Sequence, residues 1–296
     1  VLGALLSLGL PVAARAAAPV VVASKLDVEG GLIGAMILAS LADAGVPTED
    51  RLLLGPTAIL RQALIGGAVD LYPEYTGNAA FFFHEDGDPV WKNASAGYRR
   101  AAALDLAANR LVWLAPSPAD NSWAIAVPRA HAAARQLRTL ADFAREVRDG
   151  ARVRLAASAE FVESAAGLPA FEAAYGFHLD ADQLLVLSGG ETSATMKAAS
   201  DGISGVTAAM AYATDGALDA LDLVVLADTA HAEPVYAPAP VVRAATLAAY
   251  PQIKPLLAPV FAGLDLVTLR GLNEKVAVEG QAPMTVARAY LRGLAA

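Results

Sequence analysis

The sequence contains no cysteine. This removes disulfides, thiolate nucleophiles, Cys-ligated metals and a lipid-modified cysteine anchor. Histidine is scarce. His84, His131, His178 and His231 lie far apart, and none has the two-His spacing of a metal helix. No GxSxG elbow, Walker loop or GxGxxG fingerprint occurs, so the usual nucleophile, phosphate and dinucleotide sites have no motif to stand on. Gly189-Gly190 lacks the lysine of a phosphate loop and reads as a plain turn, and Glu85-Asp86 reads as solvated charge. Lysine- and arginine-rich runs are missing as well. With a net charge of −8 and a pI near 5.0, a nucleic-acid or anionic-membrane partner is not expected. Beyond the N-terminus there is no uninterrupted apolar run of about 20 residues, the length a transmembrane helix needs. No metal, cofactor or catalytic group is therefore expected.

What is there is a chain of 296 residues, enough for two medium-sized lobes. Apolar residues reach 56%, largely through alanine. Val1 to Val12 is a short apolar block, and Ala14-Arg15-Ala16 fits the small-x-small rule of signal peptidase. Residues 1–16 read as the remainder of an export signal and stand outside the fold.

The chain then alternates. Val20 to Ala23 reads as a buried strand, Gly31 to Ala44 as a helix, and Arg51 to Leu54 as a second strand. Thr57 to Gly67 reads as a helix with Thr57 as N-cap, and Val69 to Tyr72 as a third strand running into Pro73-Glu74-Tyr75-Thr76-Gly77-Asn78. This order predicts an α/β layer with a largely parallel sheet and ligand groups at the strands' carboxyl ends. Pro116 and Pro118 interrupt before Trp123, and Thr139-Leu140-Ala141-Asp142 opens a new unit with a capping pattern. Strands are expected at Val153 to Ala157, Leu184 to Leu187 and Leu223 to Leu226, with a strand-to-turn unit at Met210 to Gly216. A proline-stiffened segment, Glu233 to Pro240, carries Tyr236 back to the first unit. The middle of the chain is thus an insertion. Residues 17–123 and 228–296 form lobe 1 and residues 124–227 form lobe 2. Two crossings between lobes imply a cleft and a hinge, as in periplasmic binding proteins of the two-lobed, type II kind.

Aromatics make up only 6% of the chain, so their placement is informative. Tyr75, Trp123, Tyr212 and Tyr236 each fall near a strand end, a crossing or a proline-stiffened loop. By spacing alone they read more readily as packing residues than as walls of a cage, since isolated aromatics at strand ends often only pack. A cage of π faces attracts a cation that cannot donate strong hydrogen bonds, such as a quaternary ammonium.

The stretch Asp70-Leu71-Tyr72-Pro73-Glu74-Tyr75-Thr76-Gly77-Asn78 resembles a signature, D-(L/I)-Y-x-E-Y-T-G-T, of the binding proteins of osmoprotectant ABC importers. Ser24-Lys25, Asn121-Ser122-Trp123-Ala124, Ala211-Tyr212-Ala213-Thr214-Asp215-Gly216 and Tyr236 with Pro240-Val241-Val242-Arg243 match further blocks of that family, so the resemblance covers about residues 20–294. It implies an exported, soluble, monomeric periplasmic protein that delivers glycine betaine, choline or a related amine to a membrane permease. It also implies that Tyr75, Trp123, Tyr212 and Tyr236 are the cage and that Lys25 approaches the ligand's polar end. Asp70 is expected to be structural and Tyr72 to pack. Two positions depart from the pattern: Asn78 stands for the last threonine, and Ser164 aligns with an arginine that holds a carboxylate in betaine binders. A serine cannot replace a bidentate guanidinium. The resemblance therefore implies weak glycine betaine binding, or a ligand without the carboxylate whose hydroxyl meets Asn78 and Ser164. The alternatives are an amino-acid or other amine ligand, a sensory domain, and an exported enzyme on the same fold.

Overall fold

The run Val20-Val21-Val22-Ala23 forms a strand because both faces of its sheet are covered, which favours β-branched residues without polar alternation. A computed structural model describes residues 18–187 and 192–294, so the expected export signal and the Gly189-Gly190 turn lie outside the described residues. The strands are β1 (Val20–Lys25), β2 (Thr48–Gly55), β3 (Leu71–Tyr75), β4 (Leu111–Trp113), β5 (Trp123–Pro128), β6 (Leu155–Ser158), β7 (Leu184–Leu187), β8 (Ala208–Tyr212), β9 (Leu223–Val225) and β10 (Pro238–Arg243). They build two five-stranded sheets, ordered β2-β1-β3-β10-β4 and β7-β6-β8-β5-β9. In each sheet one strand runs against the rest: β10 pairs antiparallel with β3 and β4, and β5 pairs antiparallel with β8 and β9. These are the strands by which the chain enters each lobe from the other. The remaining pairs are parallel, which makes both sheets mostly parallel as expected.

Helices cover both faces of each sheet. The helix Val28–Asp43 is buried almost all round, against β1 on one side and the terminal helix Pro283–Leu294 on the other. It starts three residues before the Gly31 read from the sequence, because the Asp27 side chain caps it by accepting from Gly30 N–H at 2.6 Å. The helix Thr57–Gly66 follows Pro56 without a side-chain cap, so Thr57 is its first residue and not its N-cap. Gly67 ends it in the left-handed region (φ 80°) that glycine adopts most readily. The capping box at Thr139 forms as read: Asp142 N–H donates to the Thr139 hydroxyl, and Asp142 accepts from Thr139 N–H. Asp70 is structural, accepting from Val21 N–H, Arg243 and the Thr246 hydroxyl and so tying β1 and β10 together behind β3.

Two features depart from the sequence reading. β3 continues through Pro73 to Tyr75, and β10 contains Pro238 and Pro240. Pro240 sits opposite Pro73, and Pro238 opposite Tyr75. Antiparallel ladders alternate between pairs that exchange N–H···O bonds and pairs that do not, and the second kind has no use for the missing donors. The proline-stiffened return segment is thus partly a central strand.

The crossings, 114–122 and 226–237, run side by side and are bonded to each other. Asn121 N–H donates to Tyr236 C=O at 3.0 Å, Tyr236 N–H to Asp120 Oδ1 at 2.8 Å, and the Ser122 hydroxyl to Pro234 C=O at 3.2 Å. Away from the crossings the lobes meet again where the turn after β8 touches the helix Leu266–Ala277. Arg270 donates through Nε (3.2 Å) and Nη2 (2.6 Å) to Ala213 C=O, and Asn273 Nδ2 donates to Thr214 C=O at 2.9 Å. A Cβ on Gly216 would lie 2.2 Å from Glu274 N and 2.4 Å from Asn273 C. Backbone cannot yield to that at low cost, so Gly216→Ala is expected to wedge the lobes apart. Thermal stability should drop by an amount on the order of 1–3 kcal/mol, with a larger radius of gyration by X-ray scattering. Unchanged scattering and melting would show that the lobes do not meet here.

Candidate functional site

The polar centre of the site is Glu74, fully buried at the end of β3. Its Oε1 accepts from Lys25 Nζ (2.7 Å), Asn78 Nδ2 (2.7 Å) and Tyr75 N–H (2.7 Å), while Oε2 accepts from the Tyr72 hydroxyl (2.6 Å). One carboxylate thus locks the end of β1, the end of β3 and the first residue of the helix Asn78–Phe82. Tyr72 packs, as expected, and also donates to this hub. Burying the pair is tolerable because each charge has the other and Glu74 is saturated with donors.

Of the four sequence-predicted aromatics, Tyr75 and Tyr236 lie at the signature stretch, and Trp123 and Tyr212 are brought together on the second sheet. Trp123 and Tyr212 are cross-strand partners on β5 and β8, with ring centroids 6.5 Å apart and planes at 21°. Phe161 abuts Trp123 edge-on at 5.6 Å and 82°, fixing its orientation from the helix Ala159–Glu163. Tyr75 is buried, and its hydroxyl donates to Glu29 Oε1 at 2.8 Å. The Tyr236 ring lies over Gly77, so close that a Cβ there would come within 2.8 Å of it. That contact requires glycine in the signature stretch. Burial pushes the hydroxyls of Tyr75, Tyr212 and Tyr236 well above the ordinary phenol range, so all three stay neutral and keep their π faces.

The field on these rings is negative. Asp27 bears on both Tyr75 and Tyr212, and Glu160 on both Tyr212 and Tyr236. Glu233 is buried. Its Oε2 accepts from Trp123 N–H at 3.2 Å, Oε1 has no partner, and burial drives its carboxyl well above the usual range. Lys25 stands over the Tyr75 ring, its Nζ 4.5 Å from the centroid, with its charge matched by Glu74. Ser164 ends the helix Ala159–Glu163, half-buried, its N–H bonded to Glu160 C=O and its hydroxyl accepting from Ala166 N–H at 3.3 Å. It is joined to the aromatic group through Phe161 and Glu160 of the same helix. Neutral π faces under an acidic field favour a compact organic cation.

Sequence reasoning passed over Glu29, Glu74 and Glu233. Glu29 is almost fully buried in the first turn of Val28–Asp43 and accepts from Tyr75, Asn121 (3.1 Å) and Asn273 (2.7 Å). Removal from water raises its carboxyl to about 7 despite those donors. The signal was present in one case: Glu74 stands between two tyrosines within the signature itself.

Two mixed sheets with paired crossings and an aromatic group between them define a two-lobed solute-binding protein. Residues 18–293 match the substrate-binding domain of the ABC-type glycine betaine transport system, and the chain belongs to that family. It is 52% identical over 278 residues to the glycine betaine-binding protein YehZ of Escherichia coli K12, covering 94% of this chain and 91% of that protein. The structure of apo YehZ from E. coli superimposes with a TM-score of 0.82, covering 94% of this chain and 99% of that one. A glycine-betaine-binding protein of Pseudomonas aeruginosa is 30% identical over 277 residues, covering 92% and 86% of the two chains. The chain is accordingly a substrate-binding protein of an ABC importer, working with a small-molecule ligand and a membrane permease, and not a member of an enzyme family.

Glu74→Gln leaves the buried Lys25 ammonium without its counter-charge. Unfolding by urea is expected to show a loss of about 3–5 kcal/mol, and a loss under about 1 kcal/mol would place the hub's importance elsewhere. Glu29 has the opposite sign. Its folded value near 7 lies above the ordinary 4.5, so its contribution to stability is complete below 4.5 and is lost as pH rises through 7. For ligand-free protein this loss is on the order of 3 kcal/mol. Glu29→Gln should remove that slope from melting curves recorded against pH.

Proposed function

We propose that this protein captures a quaternary-ammonium solute among Tyr75, Trp123, Tyr212 and Tyr236, and passes it to its permease from the periplasm. The observation that carries the reading is the stacked Trp123–Tyr212 pair, set with Tyr75 and Tyr236 in an acidic field. Each desolvated π face contributes on the order of 1–2 kcal/mol toward a cation. Three or four faces support micromolar affinity once association costs are met. Among the described residues no single helix is long and apolar enough to cross a membrane.

Within that class, choline or another hydroxylated amine is the ligand we favour over glycine betaine. Lys25 already has Glu74 as its counter-ion, and the place of the carboxylate-holding arginine is taken by Ser164. Ser164 and Asn78 suit a hydroxyl better than an anion, since neither brings charge. Glycine betaine is the second reading, favoured by the names of the E. coli and P. aeruginosa relatives.

A thermal-shift screen of quaternary amines is expected to find a ligand, because one present at about 100 times its dissociation constant stabilises by roughly 2.7 kcal/mol. Tyr236→Ala should abolish the hit, and a hit that survived in that variant would put the site elsewhere. Titration calorimetry then decides between the ligands. Choline is expected to bind at least as tightly as glycine betaine, and low-micromolar glycine betaine with silent choline would reverse the preference.

A further inference from the structure

Glu29 lies directly behind the proposed cage and holds more of the molecule together than its position suggests. Oε1 accepts from Tyr75 of β3 and from Asn121 of the first crossing, and Oε2 accepts from Asn273 of the helix Leu266–Ala277. Asn273 also donates to Thr214 C=O in lobe 2, and the Thr214 hydroxyl donates to Asn121 Oδ1 at 2.8 Å. The carboxylate is therefore shared between a cage wall, the hinge and the contact between lobes.

It has donors but no counter-ion. Among the described residues no lysine, arginine or histidine forms an ion pair with Glu29. Lys25, at the end of β1, stands across the Tyr75 ring and is held by Glu74. Arg270, on the helix that carries Asn273, donates to Ala213 C=O, and Glu274 follows Asn273 on that helix. The other charged groups on the elements around it are acids: Asp27 at the cap of its own helix, Asp120 in the crossing, and Asp215 in the turn after β8, which accepts from Tyr212 N–H. A buried carboxylate so placed has an unmet electrostatic demand, and a cation held at the Tyr75 ring would meet it.

We propose that Glu29 is the counter-charge of the bound ammonium, acting through Tyr75 as a positioning and affinity-setting residue, so that loading of the protein is coupled to release of a proton. The proposal rests on the cage reading. The Tyr75 hydroxyl donates to an ionised Glu29 more strongly than to a protonated one, which enriches the ring that faces the cation. Without ligand, desolvation holds the Glu29 carboxyl near 7. A nearby cation favours the ionised form, so binding expels the proton where it is present. Affinity must then increase as pH rises through about 7 and level off above it. By linkage the ligand lowers the proton's affinity by the same factor.

The test is calorimetric titration of the mature wild-type chain with choline, from about pH 5.5 to about pH 8.5, in two buffers of different ionisation enthalpy. Choline affinity is expected to rise at least about fivefold across the range, with a fraction of a proton released near pH 7. Glu29→Gln should bind more weakly at the alkaline end, show no slope and release no proton. The uncharged isostere of choline, with a tert-butyl group in place of trimethylammonium, should bind the two proteins alike. If choline binds, and is lost in Tyr236→Ala, but wild type shows neither slope nor proton release, Glu29 is not the counter-charge and the cage stands. A Glu29→Gln profile identical to wild type overturns the proposal in the same way. If neither choline nor glycine betaine binds at any pH, the cage reading fails and takes the proposal with it. Should Glu29→Gln not fold, Glu233→Gln, which removes the other raised carboxyl beside the rings, is expected to keep the wild-type slope and proton release, and loss of both in that variant overturns the proposal.

Discussion

The buried pair of Lys25 and Glu74 is the constraint on which the site depends. Strand ends are where a sheet stops dictating geometry, and β1 and β3 both end here. Glu74 replaces the missing ladder with four donors from side chain and backbone. Tyr75, Gly77 and Asn78 follow within four residues, so their positions are set by that carboxylate. The same pair decides which ligand chemistry is left over. With the lysine neutralised locally, the charges felt by the aromatic rings are carboxylates, Asp27 and Glu160, while burial makes Glu29, Asp120 and Glu233 harder to ionise.

Selectivity for a cation is thereby a property of the assembled lobes. Lobe 1 supplies Tyr75 and Asp27, the second sheet and its helices supply Trp123, Tyr212 and Glu160, and the crossings supply Asp120, Glu233 and Tyr236. No single segment is strongly acidic in sequence. The potential arises because chain entry into each lobe is bonded to chain exit, bringing the ends of two sheets face to face.

Much of this was legible in the residues. Alternation of apolar runs and turn signals placed the elements, and the scarcity of aromatics made their positions at strand ends informative. The acidic residues were less legible, for two local reasons. Pro73 reads as the end of a strand, which consigned Glu74 to a turn, whereas Pro73 and Pro240 face each other in a ladder position that has no need of their donors. Asp27 caps its helix earlier than the apolar pattern begins, which left Glu29 looking like a loop acid, whereas it occupies a buried first turn. Both errors concern side chains whose partners come from remote segments: Lys25 and Glu74 are 49 residues apart, and Glu29 and Asn273 are 244 apart. Local periodicity carries no record of such pairings.

The two antiparallel strands have a mechanical consequence. Trp123 is the first residue of β5, and Tyr236 stands two residues before β10. Trp123 is locked to Tyr212 across β5 and β8, so those two rings belong to one body, whereas Tyr236 stands on the return crossing and Tyr75 on β3 of the other sheet. A ring on a crossing moves less than one carried by a lobe, so in any swing of the lobes Tyr236 would be the least displaced of the four. Tyr75 would travel with lobe 1, and the Trp123–Tyr212 pair with lobe 2. A solute bridging Tyr75 to the Trp123–Tyr212 pair would convert a short displacement of those rings into a longer sweep of the lobe tips. That leverage is a means by which a permease could read occupancy from shape.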